Sequence, residues 1–132
     1  MKLSDAQKGQ LSLLLEVSSS PKPGNVDRKK SWDDLSFFHF LGSSVGAFPA
    51  LKKAEKSDNL GEVFYKAVKE THFHGENTHF GALLLLIPLI RASKKSGKKI
   101  EKKKIKEVVQ NTTVDDSIFF YKSFNVIKVY VP

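Results

Sequence analysis

Ala82 to Ile90 is the stretch that most limits what this chain can become. Every residue in it is apolar, and Pro88 lies inside it. Such a run is too short to span a bilayer, which takes about 20 apolar residues in a helix. It is also too apolar to stand alone in water, so other elements must cover it. Continued to about Ser93, it makes a helix that is apolar on all sides, and such a helix belongs in the middle of a bundle. The expected fold is therefore all-α, a helical bundle around a buried apolar helix at about 77–93.

The flanking sequence supplies the covering helices. A first one is expected over Asp5–Ser18. Ser4 with Gln7 makes a capping box there, and Leu11, Leu14, Leu15 and Ser18 share one face. Asp33 or Asp34 should cap a second helix through Phe37, Phe38, Phe40, Leu41, Val45 and Phe48, which Pro49 kinks or ends. Within it, Gly42, Ser43, Ser44, Gly46 and Ala47 are small enough to admit a neighbouring helix closely. Val63, Phe64, Ala67 and Val68 mark a third helix, Leu60 to Thr71. Gly75 then breaks the chain, and Asn77 or Thr78 caps the apolar helix. Two more helices follow, from about Glu101 to Gln110 and from Thr113 through Phe124. The last residues, Asn125 to Pro132, alternate apolar positions and are expected to form a short extended tail.

The formal net charge of +8 is local. Between Lys94 and Lys106 there are eight lysines and one glutamate, a net of +7 that leaves only +1 for the rest of the chain. One patch of this kind steers phosphates or simply keeps a surface helix in water. With no cysteine, thiolate catalysis, thiolate metal sites and disulfides are excluded. The N-terminus lacks the apolar run of a signal peptide, so the cytoplasm is the default location.

Glu16 to Asp34 is the stretch that folding needs do not explain. Pro21, Pro23 and Gly24 make a stiff turn that would hold Lys22, Asp27 and Arg28 in set directions. Glu16 lies in the last turn of the first helix, where the negative end of the helix dipole disfavours an acid. Acidic oxygens beside an anion site are what Mg²⁺ requires, with water and phosphate completing its shell. The start of the apolar helix carries backbone N–H groups toward the interior, and Gly81 leaves room there for a ligand or a neighbouring backbone. His72, His74 and His79 do not match zinc spacing. His79 reads as a ligand contact or general acid, and His39 as a packed core histidine. Asp115 and Asp116 begin a later helix. No Gly-x-x-x-x-Gly-Lys-Ser/Thr motif is present, so this is not a P-loop nucleotide site.

Two motifs in this order resemble the triphosphoribosyl-dephospho-CoA synthase family, its archaeal-type branch in particular. The first is Glu16-Val17, Pro21-Lys22-Pro23-Gly24-Asn25-Val26-Asp27-Arg28 and Trp32-Asp33-Asp34. The second is Gly75-x-Asn77-Thr78-x-x-Gly81-x-Leu83-Leu84-Leu85-Leu86-x-Pro88-Leu89, and Thr112-Thr113-Val114-Asp115-Asp116 continues it. Lys30-Ser31-Trp32 stands where the citrate-lyase branch has Gly-Ala-His, a departure that bears on the acceptor. The resemblance implies an all-helical fold, with 1–132 as one domain corresponding to the N-terminal part of a larger family domain. It also implies transfer of the triphosphoribosyl group of ATP to dephospho-CoA, or a related ribose hydroxyl, with release of adenine.

Carried over onto this chain, the resemblance implies Glu16, Asp27 and Asp34 as catalytic acids. Asp27 and Asp34 are also the Mg²⁺ ligands. Lys22, Gly24, Asn77, Thr78 and Gly81 are carried over as substrate- and phosphate-binding positions, and Arg28 and His79 are added to that expected set by their own chemistry and place. The implied partners are ATP and dephospho-CoA-like small molecules, with a homodimer or a complementing second half, and no membrane. The competing readings are a basic helical nucleic-acid-binding module, and a non-catalytic half-domain that associates with a partner.

Overall fold

The computed structural model describes residues 1–19, 26, 36–97 and 99–129. Among the described residues there are six helices: α1 (Asp5–Ser18), α2 (Phe37–Ala54), α3 (Leu60–Thr71), α4 (Phe80–Ser96), α5 (Lys102–Gln110) and α6 (Val114–Ser123). The all-α expectation holds. No helix among the described residues is long and apolar enough to cross a membrane.

Helix α1 starts where its capping box places it. The Ser4 hydroxyl accepts from the Gln7 amide at 3.1 Å, and the Gln7 side chain accepts from the Ser4 amide at 2.9 Å. Its buried face differs from the one that the leucines suggest. Ala6, Gly9, Leu13 and Val17 point inward, while Leu11 and Leu15 are exposed. The small residues are inside because α1 lies close to its neighbours: a Cβ on Gly9 would stand 3.0 Å from Ile90 of α4 and 3.4 Å from Leu51 of α2.

Helix α2 begins later than Asp33 or Asp34 would place it. Ser36 is its N-cap, and His39 closes the turn, its Nδ1 accepting from the Ser36 amide at 3.0 Å. His39 is thus a half-buried capping residue against the Phe73 ring, not a core histidine. Pro49 does not end the helix, which runs on to Ala54. Proline removes the donor to the carbonyl four residues back. Here that residue is the exposed Val45, and for Pro88 in α4 it is the exposed Leu84. Both residues lie at the surface, where a freed carbonyl costs least, and each helix continues through its proline.

The small residues of α2 do what their size suggests. Ser43, Ser44 and Ala47 are buried, and a Cβ on Gly46 would collide with the Glu70 carbonyl of α3. Gly61 of α3 is equally tight against the Asp116 backbone of α6. Val63, Phe64, Ala67 and Val68 of α3 are buried, as their spacing implies, so α3 is packed between α2 and α6.

Helix α4 buries Leu83, Ile87 and Ile90, but Leu84 and Leu85 are exposed at 42% and 73%. The helix that is apolar all round is covered on one side only. Its outer flank meets α5 and α6 across a groove of about 660 Å³. Past α6 the chain turns, and the Lys128 amide donates to the Gly75 carbonyl at 2.9 Å, pinning the tail to the α3–α4 connection. The tail's described part makes one isolated bridge, Glu76 to Lys128.

At the far end, Glu55 ties three helices together. Its buried carboxylate accepts from the Ala6 amide at the start of α1 (3.0 Å) and pairs with Lys52 at 3.0 Å, while its backbone carbonyl accepts from Arg91 of α4. Burial pushes this carboxyl up, but the Ala6 amide and the Lys52 ammonium outweigh it and hold the pKa below the usual value. A depressed pKa adds stability above the ordinary carboxylate range, and that stability is lost as the pH falls through the folded-state value. Glu55→Gln should therefore cost about 1–2 kcal/mol at neutral pH. The gap from the parent should close on acidification in pH-resolved thermal unfolding. The close α2–α3 approach predicts that Gly46→Ala lowers stability by about 1–3 kcal/mol, read in denaturant melts.

Candidate active site

The antiparallel run of α1 and α4 decides which sequence motifs meet. Ser93 of α4 hydrogen-bonds Asp5 at the start of α1, and one turn on Gly9 faces Ile90. The last turn of α1, with the exposed Glu16, therefore arrives at the level of the first turn of α4. The start of α2 comes to the same end, because Phe40, Ser43 and Ser44 contact Thr78 and His79. Ser19, the C-cap of α1, and Ser36, the N-cap of α2, are at that end too. Lys22, Gly24, Asp27, Arg28 and Asp34 lie outside the described residues. Val26, in the same loop, is buried.

The approach to α4 is a two-residue hairpin. The Glu76 amide donates to the Phe73 carbonyl at 2.8 Å, and His74 and Gly75 both have positive φ, 52° and 80°. That pair of signs is the turn geometry that matches strand twist. Glycine adopts it without strain, and His72 steadies it by accepting from the Gly75 amide at 3.0 Å. Lys128 pairs with Glu76 at 2.9 Å and holds the outer side.

Each of the sequence-nominated residues at the start of α4 has a definite position. Helix α4 starts later than Asn77 or Thr78 would place it: His79 is the N-cap residue, and the Asn77 side chain braces the start from outside, Oδ1 accepting from the Phe80 amide at 3.0 Å. Thr78 donates to the Thr71 carbonyl at the end of α3 (2.9 Å) and contacts the Ser43 hydroxyl, which itself donates to the same carbonyl. His79 is buried at 4% exposure, with its ring edge-on to Phe40. Its Nε2 lies 3.2 Å from the Phe40 carbonyl and 3.1 Å from Ser44 Oγ. The carbonyl can only accept, and Ser44 already donates its proton to it at 2.8 Å. The histidine proton is thus on Nε2, shared between the two oxygens. Gly81 is exposed, and among the described residues nothing lies within 4 Å of where a Cβ would stand.

This end therefore has two layers. Thr78 and His79 face inward and lock α4 to α2 and α3. Asn77, Gly81 and Glu16 lie toward the surface, and the first turn of α4 presents the positive end of a helix there, with the Phe80 amide taken by Asn77. Such an end suits an anionic group, and a nearby carboxylate suits developing positive charge or a proton. Among the described residues, no group of three or more His, Cys, Asp or Glu could hold a metal ion. Asp116 is committed elsewhere: one oxygen accepts from the Gly61 amide at 2.9 Å, the other from the Thr113 amide at 2.8 Å.

Sequence reading does not single out Ser43, Ser44 and the Phe40 carbonyl as partners of Thr78 and His79. Their only signal is the run of small residues in α2. Their pairing spans about 35 positions, which no local pattern reports. Loss of the Asn77–Phe80 hydrogen bond predicts that Asn77→Ala destabilises by about 1 kcal/mol, whereas Asn77→Asp keeps the acceptor and most of the stability. Thermal unfolding of the two variants side by side checks this.

No curated protein and no solved structure matches the chain. A family model described as ATP:dephospho-CoA triphosphoribosyl transferase matches residues 3–131, nearly the whole sequence. With that match over all six helices, the chain belongs to the ATP:dephospho-CoA triphosphoribosyl transferase family.

Proposed function

We propose that this chain transfers the triphosphoribosyl group of ATP to a ribose hydroxyl of dephospho-CoA, or a closely related acceptor, with release of adenine, making a prosthetic-group precursor. The observation that carries this reading is the family match over residues 3–131. The arrival of Glu16 and the start of α4 at one end of the bundle supports that end as the place of reaction.

In the transfer, the bond from C1′ to adenine N9 breaks and N9 keeps the electron pair. The acceptor oxygen bonds to C1′ and gives up its proton. Positive charge builds on the sugar as adenine leaves, so a carboxylate beside C1′ lowers the barrier. A second carboxylate takes the hydroxyl proton. Glu16, Asp27 and Asp34 are the acids proposed for these tasks. Lys22 and Arg28, on the loop with Gly24, are proposed to hold the triphosphate, with Lys22 as a point charge and Arg28 as a planar fork. The first-turn amides at Gly81, beside Asn77, offer N–H donors to a phosphate oxygen. Thr78 and His79 enter as the residues that hold those amides in position.

Carboxylate oxygens are the donors Mg²⁺ prefers, which makes Asp27 and Asp34 the proposed holders. When bound, the ion would neutralise and orient the triphosphate. The cytoplasm is the proposed location.

The purified chain incubated with ATP, Mg²⁺ and dephospho-CoA should yield both free adenine and the triphosphoribosyl adduct by mass spectrometry. Lys22→Ala should weaken ATP binding, and Glu16→Gln should slow turnover about a hundredfold while ATP still binds. Adenine without the adduct would mean a different acceptor. Formation of neither product would overturn the proposal for this chain.

A further inference from the structure

The groove of about 660 Å³ on the outer flank of α4 plays no part in the reading above. Leu84 and Leu85 of α4 and Ile105 and Val109 of α5 line it, and Phe120 and Tyr121 of α6 form its other wall. Its apolar surface does not stop at the cavity. Val114 and Ile118 of α6 continue it, one helical turn apart on the side of Tyr121, and Val114 is 77% exposed. Leu85 and Tyr121 are 73% and 69% exposed. A small molecule would fill the cavity and leave these residues in water. An apolar helical face laid along the groove would cover both walls at once.

Charge decides what kind of face that is. Lys102 and Lys106 are exposed and stand one turn from Ile105 and Val109 on the same side of α5. They belong to the 94–106 segment, which carries a net +7. A second copy of this chain would set one +8 molecule against another. We infer that this groove between α4, α5 and α6 docks an amphipathic helix of another protein, apolar on one side and acidic along its flanks. Leucine-type side chains would sit over Leu84, Leu85 and Tyr121, and carboxylates would face Lys102 and Lys106. The favourable charge pairs set orientation and on-rate, and the apolar contact holds the helix.

The test uses the full chain and a fluorescein-labelled synthetic helix with leucine at i, i+3, i+4 and i+7 and glutamate elsewhere. A matched peptide with lysine in place of glutamate is the control. The acidic peptide should bind with micromolar affinity by anisotropy, more weakly as salt rises, and the basic one should not bind. Leu85→Glu, and separately Lys102→Glu with Lys106→Glu, should each weaken binding at least about tenfold. Circular dichroism should show unchanged helix content; if Leu85→Glu does not fold, Leu85→Ala takes its place. Equal binding of both peptides, or none by the acidic one, would overturn the proposal. So would sedimentation equilibrium showing a dimer that the Leu85 variant dissociates, since a second copy would then occupy the groove.

Discussion

The buried polar knot between α2, α3 and α4 is the interaction on which the candidate site depends. A hydroxyl, an imidazole and a helix-end carbonyl taken out of water each cost free energy unless paired. Here the Thr71 carbonyl takes protons from Ser43 and Thr78, and the Phe40 carbonyl takes them from Ser44 and His79. Among the described residues, no buried side-chain polar atom lacks a partner. Because these bonds are directional, they set where the first turn of α4 begins. The fully apolar contacts behind it would leave that position loose.

The bundle has two unlike ends. At one, Glu55, Lys52 and Arg91 close the chain on itself, joining the start of α1, the end of α2 and the middle of α4. Its job is structural. At the other end the last turn of α1 and the starts of α2 and α4 come together, with Glu16 and Gly81 toward the surface. The α3–α4 hairpin, pinned by Lys128, keeps that end in shape from the side. The basic segment lies away from this end, along the flank of α4. That separation is why the proposed phosphate site and the lysine-lined groove are two different questions.

Much of the fold can be read in the chain before any folding is considered. Ser4 and Gln7 mark the start of α1, and the 60–71 periodicity marks both ends of α3. Thr113 starts α6 by a box with Asp116. Each of these is a local relation, a cap or a stripe within a few residues. The misreadings share a cause. Which side of α1 is buried, where α2 starts and whether Pro49 ends it depend on neighbours far along the chain. Leucines at 11 and 15 are the larger apolar residues, yet Gly9 faces inward because α2 and α4 come too close for more.

By itself the sequence determined the helix periods, the caps of α1 and α6, the confinement of the charge to one segment, and the family motifs at Glu16–Asp34 and Gly75–Leu89. These follow from residue type and short-range spacing alone. Only the tertiary structure decided that Glu16 and Gly81 share one end, that Thr78 and His79 turn inward, and that the apolar helix keeps one flank bare. Those outcomes rest on steric contact and hydrogen bonds between residues 35 to 88 positions apart, and no local pattern encodes them.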